Sequence, residues 1–176
     1  RRHKLWLVGG TLPLWCEDAQ RVRNTSLAYN PAGLRVARYD KIHLFNFVRG
    51  EERYDEARTI EPGNTPVAFD APCGRVGMSV CYDLRFPELY RQLSAQGAEL
   101  LLVPAAFTHT TGQAHWELLL RARAVENLAF VAAPAQGGRH ENGRRTWGQT
   151  LVAEPWGQVL AERRDEGEGV VIAELD

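Results

Sequence analysis

Short apolar runs alternate along this chain with two stretches whose apolar positions recur at helical spacing. Residues 5–8 are apolar and close on Gly9-Gly10, which predicts a buried strand running into a tight turn. Residues 25–29 and 34–39 are strand-like and flank Asn30-Pro31-Ala32-Gly33, so they predict a β-hairpin. The stretch 46–66 is polar and rich in glycine, proline and charge, which predicts a long loop or a short helix set in loops. Residues 75–81 and 100–104 predict two further buried strands.

Phe86, Leu89, Tyr90 and Leu93 recur at i, i+3, i+4 and i+7, one face of a helix, and Pro87 suits its first turn. Trp116, Leu119, Leu120, Ala124 and Leu128 mark a second helix, with His115 and Trp116 near its start. Strand-like runs follow at 129–135, 147–153, 158–161 and 170–173, and Trp156-Gly157 is placed to turn a hairpin. No repeat, low-complexity tract or linker interrupts this order. Residues 1–176 therefore read as a single layered α/β domain with helices covering sheets.

Composition changes this picture little. Of 176 residues 44% are hydrophobic and 24% charged, the balance of a soluble globular protein with a sizeable core. A net charge of −1 gives no reason to expect nucleic acid or an anionic membrane as partner. Apolar runs such as 100–107 are far too short to span a bilayer, and no signal-peptide pattern opens the chain. Three cysteines, Cys16, Cys73 and Cys81, argue against a disulfide framework and for a reducing, cytoplasmic compartment. They form no CxxC pair, and His3, His43, His109, His115 and His140 form no HxxxH or HExxH pattern, so no metal site is expected. Gly137-Gly138 and Asn142-Gly143 read as loop signals and lack the GxGxxG spacing of a phosphate cradle.

Cys81 is the residue on which chemistry turns. It ends a predicted strand, and Tyr82-Asp83-Leu84-Arg85-Phe86-Pro87-Glu88 opens a helix after it. Such a corner exposes a side chain and aims free N–H groups and a helix dipole at it, which predicts a thiol shifted toward thiolate. Position alone leaves a second reading, a buried apolar cysteine. Cys16 and Cys73 lie in loop-like contexts without such a corner. Lys41 falls where a strand passes into a long loop; facing Cys81 it would stabilise a thiolate and an oxyanion, and otherwise it is a solvated charge. Asp83, Arg85 and Glu88 read as a local surface ion-pair network around the corner.

The run Arg75-Val-Gly-Met-Ser-Val-Cys81-Tyr-Asp-Leu-Arg-Phe-Pro-Glu88 resembles the nucleophile motif of the nitrilase (carbon–nitrogen hydrolase) superfamily. Arg38-Tyr-Asp-Lys41-Ile-His-Leu44 is similar to its lysine motif. The segments Pro104-Ala-Ala-Phe107, Thr111-Gly-Gln-Ala-His-Trp-Glu117, Arg121-Ala-Arg-Ala-Val-Glu-Asn127 and Glu154-Pro-Trp-Gly157 resemble its downstream signatures, in order and across the whole chain. The resemblance implies an α-β-β-α four-layer sandwich that assembles as a homodimer or larger homo-oligomer. It implies Cys81 as nucleophile, Lys41 as its cationic partner and Glu56 as a supporting glutamate, without metal or organic cofactor. Tyr82, through its backbone N–H, and Phe107 and Thr108 are implied to hold the oxyanion and the substrate.

The reaction so implied is hydrolysis of a non-peptide amide to carboxylate and ammonia through a cysteinyl thioester. The stretch Ala133-Pro-Ala-Gln-Gly-Gly-Arg-His-Glu141 is closest to amidases of the Nit branch, similar to enzymes acting on deaminated glutathione. A branch acting on α-ketoglutaramate stands next. The family's general-base glutamate comes from well upstream of the lysine. Glu17, in Trp15-Cys16-Glu17-Asp18, does not match that motif. With Arg1 in place of an initiator Met, the expectation is a chain whose N-terminal part, carrying the base, is missing. A non-catalytic interaction module that keeps the fold without the base is the competing expectation.

Overall fold

A computed structural model describes residues 2–50, 52–165 and 167–176. Two sheets form its frame. In the first, β3 (Val22–Tyr29) is central, with β4 (Arg35–Asp40) on one edge and β2 (Leu12–Trp15) and β1 (Leu7–Val8) along the other, all antiparallel. Asn30 closes the β3–β4 hairpin: its backbone exchanges bonds with Leu34 and Gly33, and its side chain accepts from Ala32 and Leu34 N–H. This is the hairpin that the turn residues predict.

The second sheet has six strands in the order β14 (Val159–Arg163), β13 (Thr150–Ala153), β10 (Phe130–Ala133), β9 (Leu100–Leu102), β8 (Gly74–Met78) and β7 (Val67–Ala71). Strands β8, β9 and β10 run parallel and the rest antiparallel. The parallel centre is covered on both faces, which is why its strands read as unbroken apolar runs. Helices α1 (Pro87–Ala95) and α2 (His109–Asn127) lie on one face, and the first sheet packs on the other through β4 and β7. Among the described residues this gives β-β-α layers of the four-layer sandwich. Val76, Met78, Leu89, Leu93, Leu101, Val103, Trp116, Leu120, Val131 and Leu151 fill the core, each large side chain contributing about 1.5–3 kcal/mol by burial.

Several expectations give way. Residues 5–8 are not a buried strand: only Leu7–Val8 pairs, and Leu5 and Leu7 stay exposed because β1 lies at a sheet edge. The stretch 46–66 is no loop with a helix. It forms a hairpin, β5 (Asn46–Arg49) with β6 (Glu52–Asp55), followed by a 3₁₀ turn at Glu56–Arg58. Phe45, Phe47 and Tyr54 pack together there, a short-range aromatic cluster that the polar average of the segment conceals. Gly137-Gly138 lie in a strand, β11 (Gly137–Arg139), paired with β12 (Arg145–Trp147), and a Cβ at 137 would meet Gly148 Cα at 2.9 Å, so glycine is needed there for packing and does not mark a loop. The run 147–153 is broken by Gln149 at φ 57°, whose amide then reaches Glu117 and Glu162. Residues 170–173 form no strand; Val170 and Ile172 are exposed there with no sheet beneath them. Helix α2 begins at His109, earlier than its apolar spacing suggests, and Trp116 is a core residue whose indole N–H donates to the Gln149 carbonyl at 2.8 Å.

Candidate active site

Strand β8 stops at Met78, but the chain keeps an extended course beside β9: Ser79 N–H and Cys81 N–H donate to the Leu102 and Pro104 carbonyls at 3.1 and 3.0 Å. At Cys81 the backbone turns sharply into φ 52°, the left-handed region a non-glycine residue rarely enters, and a 3₁₀ turn, Cys81–Arg85, begins. Helix α1 starts only at Pro87. The corner predicted at Cys81 is therefore present, but a full helix dipole does not point at its sulfur. This bears on the thiol. Burial raises its pKa above the usual range, against the opposing charges of Lys41 and Arg144 and a hydrogen bond from Ala106 N–H. Burial thus works against the low-pKa thiolate that the corner predicts.

Lys41 follows β4 and is not a solvated charge. Its side chain is fully buried, and its Nζ donates to Glu56 Oε2 at 2.5 Å. The same oxygen accepts the Phe45 N–H at 2.8 Å, so the hairpin's aromatic cluster fixes the carboxylate that orients the lysine. Glu17 is exposed in the turn after β2, away from this cavity.

Asp83 departs most from its expected surface role. It is wholly buried and accepts four hydrogen bonds: from Tyr39 hydroxyl at 2.6 Å, Val80 N–H at 2.9 Å, His43 N–H at 2.9 Å and His43 Nδ1 at 2.8 Å. Val80 precedes the corner at Cys81, and Tyr39 and His43 bracket Lys41. One carboxylate thus ties the cysteine segment to the lysine segment across the two sheets. Burial and the adjacent Asp83 push the Tyr39 phenol far upward, so it remains a donor throughout the accessible pH range. The His43 ring stacks on Phe86 with centroids 3.7 Å apart. Arg85 lies instead over the rings of Phe107 and Tyr82, at 5.5 and 6.0 Å.

Cys81, Lys41, Glu56, Tyr82, Phe107 and Thr108 all line one cavity of about 600 Å³, a size suited to a small organic molecule. Tyr82 sits in the first turn of the 3₁₀ segment, where a backbone N–H has no helical acceptor. Phe107 packs against Trp116, and Thr108 precedes α2 with its hydroxyl 2.6 Å from that of Thr111. Gly112 makes this possible: a Cβ there would lie 2.2 Å from Trp147 Cβ, so only glycine lets α2 approach β12 so closely. Asn24, Gln136, Arg144 and Thr150 also face the cavity; of these only Gln136 falls within a motif stretch. Arg144 lies just past the glycine-rich stretch, where a loop signal drew attention away from its side chain. Among the described residues no group of histidine, cysteine or carboxylate side chains is arranged to hold a metal ion, and no helix is long and apolar enough to cross a membrane.

Comparison with known proteins follows the same lines. The carbon–nitrogen hydrolase family pattern matches residues 1–176. A deaminated glutathione amidase of Yersinia enterocolitica is 47% identical over 170 residues, covering 94% of this chain and 59% of the relative. A human omega-amidase is 42% identical, covering 98% of this chain and 62% of the relative. Among solved structures, the Caenorhabditis elegans NitFhit protein superposes with a TM-score of 0.88 at 43% identity, covering 94% of this chain and 41% of that one. A Nesterenkonia amidase variant carrying acrylamide on its active-site cysteine superposes at 0.85 with 31% identity, covering 100% of this chain and 65% of that one. The chain spans about three-fifths of the length of the curated relatives it matches, 59% and 62% of the two named here.

Proposed function

The chain belongs to the carbon–nitrogen hydrolase family, and from that premise we propose that it carries the nucleophile of a cysteine-dependent amidase. The observation behind this reading is the convergence, in one cavity, of a thiol on a left-handed corner and a buried lysine held by Glu56. Sγ of Cys81 attacks the amide carbonyl carbon. Lys41 Nζ and the Tyr82 N–H hold the oxyanion that forms. The C–N bond then breaks, nitrogen leaves with a proton, and water cleaves the thioester to free the carboxylate and restore the thiol. The raised thiol pKa makes a general base necessary. In this reading that base is a glutamate which the family resemblance puts upstream of Lys41, while Glu56 keeps the lysine oriented. No metal or organic cofactor enters.

Deaminated glutathione is the substrate proposed first, because a relative of that activity reaches 47% identity; α-ketoglutaramate comes next, from the omega-amidase at 42%. We infer further that residues 1–176 form a single domain and act in a reducing, cytoplasmic setting, consistent with three free thiols. We also infer pairing into a homodimer or larger homo-oligomer through the exposed Leu118 and Val125 of α2 and Leu128 just after it. A panel of amides tested with the intact protein, with Cys81→Ser as control, decides the chemistry. The expected result is highest kcat/KM on deaminated glutathione and none in the variant. A higher value on α-ketoglutaramate moves the substrate assignment. Folded protein that turns over no amide overturns the amidase reading in favour of a non-catalytic module.

A further inference from the structure

We propose that Arg144 is the subsite for a substrate carboxylate, selecting amides that bear a distal acid group over neutral amides. The inference rests on the amidase reading and adds to it the residue that reads the substrate's distal charge.

Three charged residues, among those described, line the cavity: Lys41, Glu56 and Arg144. Lys41 and Glu56 neutralise each other. Among the described residues no carboxylate pairs with Arg144. Its guanidinium carbon lies 4.8 Å over the Tyr54 ring, and Nη2 reaches the Ala106 carbonyl at a long 3.4 Å. Its Nε is buried and meets no acceptor among the described residues. A guanidinium offers five N–H donors in a planar fork, and a buried donor left unpaired costs free energy. A carboxylate accepts two such donors side by side, which supplies both the missing charge and the missing hydrogen bonds.

The hairpin holds this fork in place without using it. Arg144 N–H donates to Asn142 Oδ1 at 3.1 Å, and its carbonyl accepts the His140 N–H at 2.9 Å. Tyr54, on the facing hairpin, supports the guanidinium from the far side, so two separate hairpins fix one cation. Ala106 then sets the spacing. Its carbonyl accepts from Arg144 and its N–H lies against the Cys81 thiol, so one residue separates the cation from Cys81. That separation, on the order of 10 Å at most, fits a monoamide of a short dicarboxylic acid.

The test uses alkylation of Cys81, which needs no turnover. Rates of modification by anionic iodoacetate and neutral iodoacetamide are followed by intact mass in wild type, Arg144→Gln and Arg144→Lys. The iodoacetate-to-iodoacetamide ratio is expected to fall at least threefold in Arg144→Gln and to be partly retained in Arg144→Lys; an unchanged ratio in Arg144→Gln overturns the proposal. Taking the ratio cancels any common change in thiol reactivity. A second measurement compares protection of Cys81 against iodoacetamide by glutarate and by its neutral diamide. Glutarate should protect wild type more strongly and lose that advantage in Arg144→Gln, and equal protection by the two in wild type counts against the proposal. In the intact protein, kcat/KM on glutaramate relative to pentanamide should fall about tenfold in Arg144→Gln, mainly through KM. Equal losses on both amides overturn the subsite. Wild type that hydrolyses neither overturns the amidase reading, while the alkylation ratio still judges Arg144.

Discussion

The cavity has a floor and a rim of different construction. The floor, Cys81 and Lys41, stands on buried strands and is locked by Asp83, itself without solvent contact. The rim, Glu56 and Arg144 with Tyr54 behind the guanidinium, stands on two hairpins and the 3₁₀ turn after the first, outside the main sheets, held by an ion pair, ring contacts and a few hydrogen bonds. The difference separates two demands. Chemistry requires sub-ångström placement, which a densely packed interior supplies. Recognition requires variety, which short hairpins allow at small cost to the fold.

Substitutions on the two sides test that division. The largest effect belongs to Lys41→Met: amide turnover in the intact protein should fall by about a thousandfold from loss of the oxyanion cation, read as kcat. A loss of less than tenfold would place the lysine outside the reaction. Asp83→Ala comes next, leaving two buried and two half-buried donors without their acceptor; urea unfolding should show about 3 kcal/mol of lost stability. A change under 1 kcal/mol would mean that the floor is not locked as described.

The pH response is smaller and its sign is fixed. Because burial raises the Cys81 thiol, its alkylation should keep accelerating as pH climbs past the usual thiol range rather than level off near neutrality. Lys41 lowers that thiol pKa, so Lys41→Met should move the profile to still higher pH and slow alkylation severalfold at pH 8. A plateau already reached at pH 7 would contradict this. On the rim, Val48→Thr, at an exposed hairpin position, should change stability by less than about 0.5 kcal/mol and leave the Lys41 and Asp83 effects intact. A cost above 2 kcal/mol would dissolve the distinction between rim and floor.

The same division governs what the sequence makes legible. The parallel strands, both helices and the Asn30–Gly33 hairpin follow from apolar runs, period 3.6 and turn chemistry, because burial dictates those residues. Cys81 and Lys41 stand out through motif resemblance, and the fold brings them to one cavity. Asp83 does not stand out: its charge reads as surface, and its four partners come from segments about 40 residues away in sequence as well as from its own turn. The β5–β6 hairpin is hidden by polar composition, and Arg144 by the loop signals preceding it. The thiol's raised pKa has a similar origin, since burial is a property of the assembled layers and local sequence carried only the corner.

The left-handed backbone at residue 81 has a consequence for how such a protein drifts. A glycine there would sit without the steric cost, on the order of 1 kcal/mol, that any residue with a Cβ carries in that conformation. In the amidase reading, losing Cys81 would thus relieve the backbone even as it removes the chemistry. A population selected only for heat resistance would be expected to enrich Cys81→Gly, and only continued demand for turnover would hold the cysteine in place.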